Sequence, residues 1–181
     1  MTAAKAPKKG KRPKLPASLV PHTAAVLAID PGEVSGWAIW QRGEPAYYGV
    51  IEDVFSPLVG ELVAHFVSRY QGPHVAVVER PFRVRFANQT SIGTADAIWR
   101  RRLTEARVPF ARVYPSSWRS AVLGKGWGNA SRDLARAKEQ EVACAMVEVS
   151  SIHPDAAPAL LMGRWGAFAG ETLAVLPKGK R

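Results

Sequence analysis

Cysteine is nearly absent from this sequence: a single residue, Cys144, stands among 181, so no disulfide can close within the chain. Its apolar surroundings, Val142, Ala143, Ala145, Met146 and Val147, suit a buried thiol in a reducing compartment better than a reactive one. Long apolar runs are missing as well. No segment approaches the ~18 residues of a membrane-crossing helix, and the N-terminus carries Lys and Pro where a secretory signal would be apolar. The expectation is a soluble, cytoplasmic protein with no membrane partner. Acidic residues are scarce too, 15 against 25 Lys and Arg for a formal charge of +10, which points to a polyanionic partner. That excess is concentrated at the ends. Lys5, Lys8, Lys9, Lys11, Arg12 and Lys14 fall within residues 1–22, which hold no acid, and Lys178, Lys180 and Arg181 within residues 177–181. The stretch from 23 to 176 is therefore close to neutral, so specific recognition must come from how its charges are arranged, while the ends add salt-sensitive affinity.

Residues 1–22 are low in complexity and too poor in apolar surface to offset the entropy of ordering them. They read as a disordered basic tail, and residues 177–181 as a short second one. Residues 23–176 have the size of one domain with one core. The apolar runs AAVLAID, WAIW and AYYGVI, the last two separated by the turn sequence QRGEP, predict three consecutive strands. Leu58, Leu62, Val63 and Phe66 mark a helix over Pro57 to Tyr70. HVAVVE, bounded by Gly72-Pro73 and Arg80-Pro81, predicts a buried strand. A helix from about Asn88 to Arg107 and the strand FARVY follow, then helices near 116–123, 131–149 and 155–168. A meander followed by crossovers implies an α/β fold: a mixed five-stranded sheet with an antiparallel edge and helices on both faces.

This order places Asp30 at the end of the first strand and Glu79 at the end of the strand after the first helix. On neighbouring parallel strands, about 4.8 Å apart, both carboxylates emerge at one edge of the sheet. Such a pair can bridge hard cations, and two Mg²⁺ ions about 4 Å apart can activate water and stabilise the leaving oxygen in phosphodiester cleavage. Gly32 and Gly36, just after Asp30, leave room for a phosphate. An Asp at a strand end is by itself more often a turn or cap. Its agreement with Glu79 and with a third acid, Asp155, at the start of a late helix is what favours chemistry. After Glu79, Arg80, Arg83 and Arg85 interleave with Phe82 and Phe86, a pattern that can hold a backbone and stack an unpaired base. The plainer alternative is core phenylalanines beside a solvated arginine face, and the same alternative stands for Arg100, Arg101 and Arg102. Trp99, Trp118 and Trp165 lie in helices with apolar neighbours and are expected in the core or a dimer contact.

VLAIDPGEVSGWA and VAVVERPF, followed by ARVYPSSWRSAVLG, ARAKEQEVA and DAAPALLMGRWGA, resemble the motifs of the RuvC-type crossover (Holliday) junction endodeoxyribonucleases, in the divergent form found in phages. The resemblance runs from about Val26 to Gly166 and implies an RNase H-like fold. It implies that Asp30, Glu79 and Asp155 are catalytic metal ligands, that Phe82 stacks near the junction centre, and that Arg119 and Lys138 are the basic residues near the phosphate, Lys138 with a catalytic part. Arg80, Arg83 and Arg85 join the DNA-binding set. The family's last helix bears two acids three apart, and the second position here is Pro158, which cannot bind a metal. His153 is the nearest substitute ligand in sequence, with Asp96 and Glu171 further away. The implied cofactor is Mg²⁺, with Mn²⁺ substituting, and the implied partners are branched DNA and a second copy of the chain, since a four-way junction is nearly two-fold symmetric. A helicase partner is left open. Alternative readings are a non-catalytic branched-DNA binder with a degraded metal site and an RNase H-like RNA-processing nuclease. An ATP-using fold of the sugar-kinase and actin type shares the D-x-G strand but needs two such domains.

Overall fold

A computed structural model describes residues 24–70, 72–80 and 89–168. Strands β1 (Ala25–Asp30), β2 (Ser35–Gln41) and β3 (Glu44–Ile51) form the meander, and α1 (Leu58–Arg69) leads to β4 (His74–Glu79). Helix α2 (Gln89–Glu105), β5 (Phe110–Val113), α3 (Pro115–Val122), α4 (Arg132–Val147) and α5 (Ala156–Phe168) complete it, with a 3₁₀ turn at Trp127–Asn129. The sheet order is β3-β2-β1-β4-β5. β1 runs antiparallel to β2 and parallel to β4, and β4 runs parallel to β5. This is the mixed five-stranded sheet expected from the order of apolar runs. Phe82, Arg83, Arg85, Glu171 and both basic tails lie outside the described residues.

Side-chain alternation along the buried strands divides the core into two halves. Val26 and Ala28 of β1, with Val75 and Val77 of β4, pack against α3, α4 and α5. Leu27 and Ile29, with Ala76 and Val78, pack on the other face against α1 and α2. A strand covered on both faces needs an unbroken apolar run, which is what AVLAI supplies. At the outer edge the β2–β3 hairpin turns on Arg42 and Gly43, both with positive φ (54° and 81°), the two-residue geometry that matches strand twist.

Helix α5 is buried along nearly its whole length. It lies flat on the sheet because Gly163 and Gly166 present no side chain: a Cβ at Gly163 would fall 2.3 Å from the Trp40 ring. Trp40 Nε1 also donates to the Leu160 carbonyl at 3.1 Å, which fixes where α5 sits along β2. On the opposite face Trp99, fully buried, donates to Ser35 Oγ at 3.1 Å and ties α2 to the start of β2. Cys144 is free and half-buried, less enclosed than its apolar neighbours suggest. Among the described residues no helix is long and apolar enough to cross a membrane.

Candidate active site

Parallel pairing sets Ile29 opposite Val78, so the next residues, Asp30 and Glu79, end adjacent strands side by side. Asp30 continues the alternation of Val26 and Ala28, and Glu79 that of Val75 and Val77. Both carboxylates therefore belong to the face covered by α3, α4 and α5. Asp155 reaches the same place through Gly36. Gly36 pairs with Asp30 across the β1–β2 ladder, and a Cβ there would lie 1.7 Å from the Asp155 carbonyl oxygen. The room at Gly36 is thus taken by the backbone entering α5, and the expectation that a phosphate uses it is corrected.

Helix α3 supplies two consecutive residues to this cluster. Trp118, fully buried, donates Nε1–H to Glu79 Oε2 at 2.6 Å. Arg119 Nε bonds Glu139 Oε1 at 2.5 Å. One turn before Glu139 on α4, Arg136 Nη2 meets Asp155 Oδ1 at 2.7 Å. Glu139 itself is fully buried, and its second oxygen, Oε2, has no hydrogen-bond partner among the described residues. Four acids thus gather around two guanidinium groups, and the charge imbalance is visible in their proton affinities. Burial, then the negative charges of Glu139 and Asp155, push Asp30 up to about 7, against the pull of Arg119 and Arg136. Burial and the neighbouring Asp30 hold Glu79 well above the usual carboxylate range, with Arg119 and the Trp118 bond opposing. Burial raises Glu139 too, again opposed by Arg119.

No protein-family model and no curated protein sequence matches the chain. Solved structures do. Thermus thermophilus RuvC aligns over 80% of this chain and 93% of its own, with a TM-score of 0.58 and 20% identity. This chain has the RuvC fold. The same T. thermophilus protein in complex with its Holliday junction substrate gives a TM-score of 0.58 at 17% identity, over 80% and 93% of the two chains. The yeast mitochondrial Holliday junction resolvase gives 0.46 at 18% identity, over 81% of this chain and 79% of the other. The RuvC-like resemblance read from VLAIDPGEVSGWA and VAVVERPF is thereby found again at the level of fold.

Within this RuvC fold the residues singled out by sequence fall into distinct places. Asp30, Glu79 and Asp155 come together, with Arg119 beside them. Lys138 is half-buried on α4 and pairs with Glu141 at 2.5 Å, one position from Glu139 but on another side of the helix. The His153 ring accepts the Asp155 N–H at its Nδ1, at 3.2 Å, and the His153 carbonyl takes the first N–H groups of α5. Arg80 lies at the same sheet edge, where Nη1 donates to the Tyr114 hydroxyl at 2.5 Å and the guanidinium carbon stands 4.7 Å from the ring centre. Tyr114 is 54% exposed. Asp96 lies on the opposite face of the sheet, bonded to Arg100 and Arg112. Arg101 and Arg102 pair with Glu105 of their own helix, as a solvated face does.

Sequence reasoning missed Glu139, Arg136 and the aim of Trp118. The first carried a signal: Ala135, Glu139 and Ala143 recur every four residues along the buried stripe of α4, and an acid in such a stripe is unusual. As they stand, no three His, Cys, Asp or Glu side chains among the described residues converge tightly enough to enclose an ion. Arg119 and Arg136 hold two of the acids instead. The donor set nevertheless fits a hard divalent cation: it offers carboxylate oxygens, one of them orphaned, in a buried place where their charges repel.

Proposed function

We propose that this chain is a divalent-metal-dependent endonuclease that cuts DNA at branched structures, Holliday junctions among them. The observation that carries the reading is the placement of Asp30 and Glu79 on the ends of adjacent parallel strands, on one face, with the start of α5 and Asp155 packed against the same edge. Asp30, Glu79 and Asp155 would hold Mg²⁺ or Mn²⁺, with substrate phosphate and water completing the shell. Cations held there would activate the attacking water and neutralise the leaving oxygen.

The chain's own residues position and balance that chemistry. Trp118 fixes the Glu79 carboxylate by a bond that favours its charged form. Arg119 supplies a fixed positive charge next to the acids, where charge on a scissile phosphate would grow. Lys138, whose present partner is the exposed Glu141, is a second cation on the same helix as Glu139. Arg80 and the exposed Tyr114 offer a guanidinium and an aromatic face at the rim, and Phe82, Arg83 and Arg85, which follow Arg80 in the sequence, are assigned with them to DNA contact. Cutting two strands symmetrically is simplest for a two-fold dimer.

Labelled four-way junction, Y-fork and linear duplex, each incubated with the protein in Mg²⁺, Mn²⁺ or EDTA, test the reading. Metal-dependent cutting of the junction in preference to duplex is expected. Junction binding with no cutting in either metal would leave a non-catalytic binder, and preferential cleavage of structured RNA an RNA-processing nuclease.

A further inference from the structure

Pro158 is the third residue of α5, in the first turn, where a missing N–H costs little, so the fold accepts it while the chain loses a carboxylate. Helix α4 carries an acid that packing does not explain. Glu139 is 0% exposed in a stripe otherwise made of alanine, and one of its oxygens has no partner among the described residues. An apolar side chain would fill that position without the cost of burying a half-satisfied carboxylate. Its surroundings define what the oxygen is near. Adjacent residues of α3, Trp118 and Arg119, bond Glu79 and Glu139 respectively. Arg136, one turn from Glu139, bonds Asp155. Three of the four acids are thus linked through two short stretches of α3 and α4.

We propose that Glu139 is the fourth carboxylate ligand of the metal site, supplied by α4 in place of the one that Pro158 removes from α5, with Arg119 as its counter-ion when no cation is bound. The proposal rests on the metal-dependent reading of the same site. It assigns Arg119 two partners in turn: Glu139 in the metal-free protein, and substrate phosphate once a cation satisfies Glu139.

Calorimetric titration of the DNA-free full chain with Mn²⁺ tests this apart from cleavage. Glu139→Gln keeps the shape and can still accept from Arg119, whereas Glu139→Asp keeps the charge but shortens the reach. A structural or purely through-space charge role therefore predicts near wild-type Mn²⁺ affinity in one of the two variants, and a ligand loses affinity in both. The ligand role predicts a loss of at least about tenfold, the lower end of what even an outer-shell partner contributes, and recovery of affinity in Glu139→Gln/Pro158→Asp. Should Glu139→Gln be too unstable to titrate, Arg119→Met gives the reverse readout: tighter Mn²⁺ binding, because the competing counter-ion is gone. Unchanged affinity in folded Glu139→Gln or Glu139→Asp, or weaker binding in Arg119→Met, overturns the assignment. Either result leaves the nuclease reading intact, since that stands on Asp30 and Glu79. Conversely, Glu139-dependent Mn²⁺ binding by a wild-type protein that cuts no junction supports the ligand and removes the nuclease.

Discussion

Replacing Asp30 by Asn should make the metal-free protein more stable. The folded state holds the Asp30 proton up to about pH 7, whereas the unfolded chain releases it near 3.8. Between those values the folded state binds more protons, so its stability falls as pH rises through the window. At about 1.4 kcal/mol per pKa unit, the full shift from 3.8 to about 7 corresponds to about 4 kcal/mol at neutral pH. Relaxation and water entry reduce such penalties, and about 2 kcal/mol is the working figure. For a chain of this size that is a rise in Tm of about 4–8 °C. Asn has nearly the same shape, carries no charge, and can donate to the neighbouring carboxylates. Calorimetric melting in EDTA across about pH 4 to 8 reads the effect. The variant should melt above wild type at neutral pH, and the gap should close toward pH 4, where Asp30 is already neutral in the folded state. Added Mn²⁺ should then stabilise wild type more than the variant. A variant that melts lower at neutral pH, or a gain independent of pH, would refute the electrostatic account of this cluster.

Trp118→Phe keeps most of the buried ring and removes the bond to Glu79; single-turnover cleavage of the junction should slow about 10–100-fold, with a stability loss near 1–2 kcal/mol measured by denaturant unfolding. Deleting residues 1–22 removes six cations and no acid, so affinity for every DNA form should fall and the salt dependence flatten by up to about five in log–log slope. Junction preference should survive that deletion in a competition assay, and its loss would move recognition from the domain to the tail.

Much of the fold was legible because β1 and β4 are covered on both faces and so read as continuous apolar runs, with the hairpin marked by Arg42-Gly43. Asp30 and Glu79 were legible for the same reason: each is the first charged residue after such a run. Asp155 was found as the acid opening α5, although the helix proper starts one residue later, at Ala156. Glu139 carried only a faint signal, because its stripe is built of alanines, whose weak hydrophobicity barely marks which side of α4 is buried. The neighbouring Lys138 matched the resemblance better, yet it lies about 100° round the helix, paired with Glu141. Burial of Trp118 was expected, but its bond to Glu79 depends on how α3 crosses the end of β4, which no local pattern encodes. The ion pairs Arg119–Glu139 and Arg136–Asp155 span 20 and 19 residues and are products of tertiary packing alone.

The central claim is that Asp30 and Glu79 form a metal-dependent phosphodiesterase centre, and the most direct measurement compares wild type with Asp30→Asn and Glu79→Gln on one labelled four-way junction. Cleavage is followed in Mg²⁺ and binding in EDTA. The account predicts that each variant loses cleavage by about a thousandfold or more, the consequence of several kcal/mol of lost transition-state stabilisation. Binding should be equal or tighter, since a negative charge beside the phosphates is gone. Cleavage at the wild-type rate by either variant would contradict it.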